Sequence, residues 1–264
     1  MIEVNSVKQI LSASQIQSAM NLPISVEVLE SVDSTNTEAK RRIAAGLSTP
    51  LLLLARRQTA GRGRLGRTFC SPEGAGLYMS LVLHPRCSPQ NVLALTSAAA
   101  VAVATAIEAL TPLHPGIKWV NDVYLGNKKV CGILTEGVTN PESGLLNSVV
   151  IGIGINCTHA AFPDEVASIA TSLEDEGGTV DPNRLAAEVI HRLLAFYDEL
   201  PHKTWLPPYR ERSLLSGKGI LWQKGTDRGE GTVLGIGDDG ELLLSTASGT
   251  LSLTSGEVSV IGWR

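Results

Sequence analysis

Residues 61–67 read Gly61-Arg62-Gly63-Arg64-Leu65-Gly66-Arg67, three cations spaced by glycines, with Arg57 a few residues upstream. Glycine lets a backbone bend closely around a ligand, and guanidinium groups give paired, charge-assisted hydrogen bonds to phosphate or carboxylate oxygens. Such a loop can close on a phosphate-bearing ligand; taken alone it could equally be a solvated basic loop or a nucleic-acid contact. The spacing also fits G-x-G-x-x-G, the dinucleotide-binding turn whose third glycine opens a helix. Here Gly66 is followed by Arg67-Thr68-Phe69-Cys70-Ser71-Pro72 and then Glu73-Gly74-Ala75-Gly76. No helix starts in that stretch, so the dinucleotide reading is set aside.

Two further segments hold groups suited to the same chemistry. Lys118-Trp119-Val120-Asn121-Asp122 ends a predicted strand, and Lys128-Lys129 opens the next. Asp122 could hold a Mg²⁺ or a water beside phosphates, because Mg²⁺ takes few carboxylates and keeps substrate oxygens. A nearby lysine could neutralise charge on a reacting carboxylate and phosphate. The plainer alternative is a hairpin in which Asn127 and the lysines are turn residues. Gly152-Ile153-Gly154-Ile155-Asn156 closes an apolar strand, and glycine inside a strand marks either a bulge or the close approach of another group.

The elements that must carry these residues read as α+β. Residues 7–20 have loosely helical spacing, a strand spans Ile24 to Leu29, and Asp33-Ser34-Thr35-Asn36 is placed to cap a helix over Thr37 to Ala45. Strands are predicted over Leu51 to Arg56 and Leu77 to Leu83. An Ala-rich buried helix then runs from Ser88 to Leu110. Three strand-like runs follow, Ile117 to Leu125, Lys129 to Val138 and Leu146 to Asn156, before a helix from Asp181-Pro182 to near Leu200. After Trp205-Leu206-Pro207-Pro208 helical periodicity ends, and short strands alternate with turn residues up to Ser255-Gly256. That pattern predicts a small SH3-like β-barrel, with a boundary near 209–213 and domains 1–210 and 211–264.

The chain has 264 residues, is 43% hydrophobic, and carries Lys+Arg 22 against Asp+Glu 26 for a net charge of −4. The balance argues against a general nucleic-acid or membrane-surface binder, while leaving room for a local basic site. Cys70, Cys87, Cys131 and Cys157 stand far apart without a CxxC pair, which suits reduced thiols and not a zinc site. The N-terminus lacks a basic segment followed by an apolar one, and the longest low-charge stretch, Val92 to Leu110, reads as a core helix. The expected location is the cytoplasm.

In this order, the segments resemble the biotin–protein ligase family. Asp33 to Asn36 is similar to its D-S-T-N segment, Gln58 to Arg67 to its biotin-and-adenylate loop, and Lys118 to Asp122 to its K-W-P-N-D. Lys129 to Glu136 is similar to its K-x-x-G-I-L-x-E and Gly152 to Asn156 to its G-x-G-I-N. The match runs from Asp33 to Asn156, and the trailing β-module suits the family's C-terminal domain. The arginine loop is the most specific of these pieces.

The resemblance implies a mixed-sheet catalytic domain of the class II synthetase type, followed by the SH3-like module. It implies formation of biotinyl-5′-AMP from biotin and ATP, with Mg²⁺ accompanying the nucleotide, and transfer of biotin to a lysine of a biotin carboxyl carrier protein domain. It assigns Ser34, Thr35, Asn36, Gln58, Gly61, Arg62, Arg64, Lys129 and Gly132 to biotin. To the nucleotide it assigns Arg67, Phe69, Asn121, Asp122, Lys129 and Asn156, with Lys129, Asp122 and Arg64 catalytic. Val120 stands where the family has proline, and Phe69 where it often has tryptophan. About thirty residues precede Asp33, too few for the DNA-binding domain of some members, so a ligase-only form without DNA or membrane partners is expected, and a homodimer is left open. Two rival readings remain: a lipoate–protein ligase with the same adenylation chemistry, and a non-catalytic biotin- or nucleotide-binding regulator.

Overall fold

The computed structural model describes residues 10–85, 91–139, 145–159, 162–254 and 258–263. In chain order the elements are α1 (Ala13–Met20), β1 (Ser25–Leu29), α2 (Thr35–Ala44), β2 (Leu51–Ala55), β3 (Gly76–Leu83) and α3 (Asn91–Leu110). There follow β4 (Gly116–Lys118), β5 (Asp122–Leu125), β6 (Lys128–Thr139), β7 (Leu146–Asn156), α4 (Asp164–Ala167), α5 (Pro182–Asp198) and α6 (Leu206–Glu211). Last come β8 (Gly219–Lys224), β9 (Asp227–Ile236), β10 (Leu242–Thr246), β11 (Gly249–Leu253) and β12 (Val258–Trp263).

Strands β1 to β7 form one mixed sheet in the order β1-β2-β3-β7-β6-β5-β4, with β1 and β2 parallel and the other neighbours antiparallel. This is the expected α+β class. Alternation along the central strands gives the sheet two unlike faces. One face presents Leu77, Met79, Leu81, Ile151, Ile153 and Ile155 to a large core built with α3 and α5. The other carries α2, seated on Leu51, Val82 and Val150 through Ala39, and beyond α2 it is open. Helix α3 is long and apolar enough to cross a membrane, yet most of its apolar stretch is buried against α5 and the sheet. Truncating a fully buried leucine such as Leu52 or Leu54 removes both transfer energy and packing, a loss of about 2–5 kcal/mol.

Three predicted boundaries differ. The run 117–125 is not one strand: β4 and β5 are separated by a tight turn at Trp119, Val120 and Asn121. Helix α2 begins at Thr35, not Thr37, and its cap Ser34 makes no side-chain capping bond. The polar cluster is therefore turned toward the sheet instead of stapling the helix end. Helix α5 starts as predicted, with Asp181 accepting from Asn183 N–H and Pro182 in the first turn. Helix α1 starts only at Ala13, after its cap Ser12, later than the predicted run, and the described part of α3 starts at Asn91; Val7, Ser88, Cys87 and the Ser255-Gly256 turn lie outside the described residues.

Strands β8 to β12 form a second, antiparallel sheet in the order β11-β10-β9-β8-β12, which fits the expected SH3-like module. Its apolar residues Ile220, Val233, Ile236, Leu242 and Leu244 continue the main core. Two hydrogen bonds pin the 119–121 turn from outside the sheet. Trp119 Nε1 donates to Gly240 O of the second sheet at 3.0 Å, and Tyr209 Oη of α6 donates to Val120 O at 3.1 Å. Tyr209 is 1% exposed, so its hydroxyl has no water to replace that acceptor. Tyr209→Phe should leave Val120 O unpaired and cost about 1–3 kcal/mol, seen as a lower urea midpoint at unchanged slope. An unchanged midpoint would mean the bond does not hold the turn.

Candidate active site

The arginine loop is a narrow hairpin, not an open coil. Phe69 N–H donates to Gly61 O at 2.9 Å, and Gly63 N–H to Arg67 O at 2.7 Å. A 3-10 turn at Arg64–Gly66 forms the tip, with Leu65 and Gly66 at positive φ. No α-helix follows Gly66, as the sequence implied. Gly61 is needed for the close approach of the two arms: a Cβ there would lie 2.3 Å from Phe69 O.

Beneath the hairpin lies a narrow cleft of about 50 Å³. Its floor is the open face of the central strands. Gly132, Gly154 and Tyr78 lie side by side across β6, β7 and β3, and Leu134, Gly152 and Ser80 form the adjoining row. A Cβ on Gly154 would sit 2.5 Å from the Phe69 ring, and one on Gly152 would sit 2.1 Å from Asn36 Oδ1. The strand glycines are thus places of close approach, and in this structure protein side chains approach them. Ring contact with Tyr78, at 6.4 Å between centroids, holds Phe69 across Gly154 and Gly132.

One end of the cleft is polar and neutral. Ser34, Thr35, Asn36 and Gln58 line it. Ser34, Thr35 and Asn36 are all buried, and Thr35 N–H donates to Gln58 Oε1 at 2.8 Å. The other end is charged. Lys129 Nζ donates to Asp122 Oδ1 at 2.7 Å, and Arg64 donates to Asn121 Oδ1 at 3.1 Å. Asn121 is fixed by its own donation to Ile133 O at 2.9 Å. Lys129 is anchored through its backbone, which exchanges hydrogen bonds with Ile169 and Thr171. Burial lowers the Arg64 pKa, but a guanidinium stays charged at any physiological pH.

Most residues singled out in the sequence converge here, with some differences in place. Arg62 is exposed and faces Glu136 at 3.4 Å. Arg67 is exposed on the outer arm of the hairpin, where its charge bears on Arg64 and Lys118. Asn156 is set apart from the cleft wall: its side-chain amide donates to Thr171 O at 2.9 Å and so holds the segment that pairs with Lys129.

The sequence assigned no role to Lys118, although it opens the Lys118–Asp122 motif. It pairs across the hairpin with Asp122, and its ammonium lies 6.0 Å from the Tyr124 ring centroid. Burial lowers its pKa to about 8, against the pull of Asp122 and with added repulsion from Lys129 and Arg67. Nor were Ser80 and Glu136 assigned; both lie on the strands beneath α2, and only the folded register brings them to Asn36. Cys131 and Cys157 are buried free thiols whose pKa values are raised by burial, so neither is poised as a nucleophile. Among the described residues no group of three or more metal-binding side chains occurs.

The lining pairs a polar, uncharged end with a charged one, which can gather anions around Lys129. Comparison with known proteins points the same way. Residues 28–156 match the biotin/lipoate A/B protein ligase family, and residues 215–260 the biotin protein ligase C terminal domain. A bifunctional ligase/repressor BirA of Bacillus spizizenii is 36% identical over 95% of this chain and 79% of its own length. The biotin–[acetyl-CoA-carboxylase] ligase of Paracoccus denitrificans is 35% identical over 88% of this chain and 98% of its own. A solved structure of the biotin protein ligase from Aquifex aeolicus in complex with biotin and ATP is 31% identical, with a TM-score of 0.78 over 90% of this chain and 98% of that one. With both of its folded regions matched and relatives more than 30% identical aligned over 79% to 98% of their own length, this chain belongs to the biotin protein ligase family.

Proposed function

We infer that the chain activates biotin with ATP as biotinyl-5′-AMP and transfers the biotinyl group to a lysine of a biotin carboxyl carrier protein domain. The observation that carries the reading is the Lys129–Asp122 pair, 2.7 Å apart at the charged end of a cleft whose other end is neutral and polar. Ser34, Thr35 and Gln58 take the ureido head, with Asn36 holding Thr35's neighbours in place. Arg62 and Arg64 of the hairpin cover the ligand, and Gly132 and Gly61 let the backbone come close. Lys129 serves the biotin carboxylate and the α-phosphate together. Arg67, Lys118 and Asn121 serve the phosphates, Phe69 the nucleotide side, and Asn156 supports Lys129 from behind.

In the first step a biotin carboxylate oxygen bonds to the α-phosphorus and the bond to pyrophosphate breaks. In the second the acceptor amine bonds to the acyl carbon, AMP leaves, and the amine gives up a proton. Both reacting partners of the first step are anionic, so positioning and neutralisation supply most of the acceleration. Asp122 offers a single carboxylate, which fits a Mg²⁺ held mainly by phosphate oxygens and water; bound there, the ion would add further neutralisation. The acyl-adenylate is prone to hydrolysis, and a hairpin over the cleft keeps water from it.

The lipoate reading differs at the neutral end, where four polar side chains would meet a ring without hydrogen-bonding groups. The regulator reading leaves the Lys129–Asp122 pair without a task. Residues 1–210 are taken as the catalytic unit and 211–264 as the module that braces its Trp119 turn. The cytoplasm suits the free thiols Cys131 and Cys157.

Two outcomes are expected. Lys129→Ala should keep its fold by circular dichroism and lose about a hundredfold or more in biotinyl-AMP formation, measured by chromatography of the adenylate. Near-normal synthesis would sink the assignment. Lys118 sheds its charge as pH rises through about 8, so its hold on phosphate is present below that pH and lost above it. The kcat/KM for ATP in pyrophosphate exchange, which reports the free enzyme, should fall on the alkaline side, and Lys118→Arg should remove that fall. A wild-type profile that is flat through this range would exclude Lys118 from the phosphate site.

A further inference from the structure

Two arginines of the hairpin's first arm reach the sheet at opposite ends of the cleft. At the charged end Arg64 donates to a neutral acceptor, Asn121 Oδ1, at 3.1 Å. At the neutral end Arg62 faces a carboxylate, its Nη1 3.4 Å from Glu136 Oε1. The acceptors decide what each arginine is free to do. An amide leaves the Arg64 charge open to an arriving anion, whereas Glu136 matches the Arg62 charge from within the protein.

Glu136 stands on β6 on the open face of the sheet, opposite Val150 in register and beneath α2. Lys40 of α2 donates to Oε1 at 2.8 Å, and Asn36 Nδ2 donates to Oε2 at 2.9 Å. Burial acts to raise the Glu136 pKa, but the bonds from Lys40 and Asn36, with the charges of Lys40 and Arg62, outweigh it and hold the carboxyl below its usual range. The side chain is therefore an anion at neutral pH. Lys40 and Asn36 suffice to anchor α2 on β6, and Arg62 belongs to neither element. It comes from the hairpin, whose stem is tied through its backbone, Thr59 N–H to Val32 O and Ala60 N–H to Asp33 O. Arg62 and Asn36 both line the cleft, so the ion pair beyond them joins the hairpin to α2 and β6 across the neutral end.

We propose that Glu136 is a positioning residue whose ion pair with Arg62 clasps the hairpin shut over the neutral end of the cleft and so retains the bound acyl-adenylate. The proposal rests on the biotinyl-adenylate reading and deepens it. The clasp touches no reacting atom; it sets how long the activated acid stays before the acceptor amine takes it. Its strength is bounded by solvent, since the Arg62 and Glu136 side chains are 45% and 21% exposed. A pair of that kind changes a rate by no more than about fivefold.

Release of labelled biotinyl-5′-AMP, chased with the unlabelled compound, reads the clasp. Glu136→Gln keeps the shape and an acceptor for Asn36 and Lys40, and should release the adenylate about three to five times faster than wild type. Added salt should narrow that difference, because it screens the pair in the wild type and has none to screen in the variant. Arg62→Gln should release at least as fast as Glu136→Gln, and the double variant no faster than Arg62→Gln alone, because the two groups act as one. Lys40→Met removes the ion pair of α2 and leaves that of the hairpin, so release should change less than about twofold. Unchanged release in either Glu136→Gln or Arg62→Gln, effects that multiply in the double variant, or equal acceleration by Lys40→Met overturns the proposal while the substrate reading stands. Arg62 is exposed on the hairpin, so its variant answers whether or not Glu136→Gln folds. A wild type that forms no biotinyl-AMP overturns the substrate reading and the proposal together.

Discussion

Gly132, Gly152 and Gly154 leave a bare strip across the middle of the sheet, and the site exists because no Cβ stands there. Asn36 reaches down onto Gly152 and Phe69 lies across Gly154, each at a distance that any side chain would forbid. Helix α2 and the arginine hairpin, which share no backbone pairing, are both seated by these approaches. The opposite face of the same strands is continuous Leu, Ile and Met. The strands thus gain stability from one side, so the other can give up packing to hold a ligand.

The charges follow the same division of labour. The chain as a whole is slightly acidic, yet Arg64, Arg67, Lys118 and Lys129 are gathered around one carboxylate at one end of the cleft. Their placement depends on the short turn between β4 and β5, which sets Asn121 and Asp122 under the hairpin. That turn is pinned by Tyr209 and by the second sheet through Gly240. The C-terminal module accordingly bears on the site by holding a turn, through residues outside the cleft lining.

Much of this was legible in the sequence, and the exceptions share a cause. Runs such as Leu51–Ala55 and Leu146–Asn156 are buried on both faces or nearly so, and composition alone marks them. The Trp119–Asn121 turn was hard to read because it contains neither glycine nor proline and only Asn121 favours a turn; tertiary hydrogen bonds brace it. Thr35 and Asn36 looked like capping residues, and local propensity allows that, but Gln58 of the loop after β2 and Ser80 and Glu136 of β3 and β6 claim their polar groups. Ser80 carries no sequence signal, being one serine in an apolar strand. Lys118 did carry one, since it heads the segment that ends in Asp122. The arginine loop was recognisable by its residues, whereas its closed hairpin shape comes from the Gly61 and Gly63 hydrogen bonds to the far arm.

The central claim is that this cleft joins biotin to AMP. Exchange of labelled pyrophosphate into ATP, run on the wild type with Mg²⁺ and with either biotin or lipoate, tests it most directly. The account predicts exchange that depends on biotin and is absent with lipoate. Exchange driven by lipoate, or none with either compound from folded protein, would contradict it.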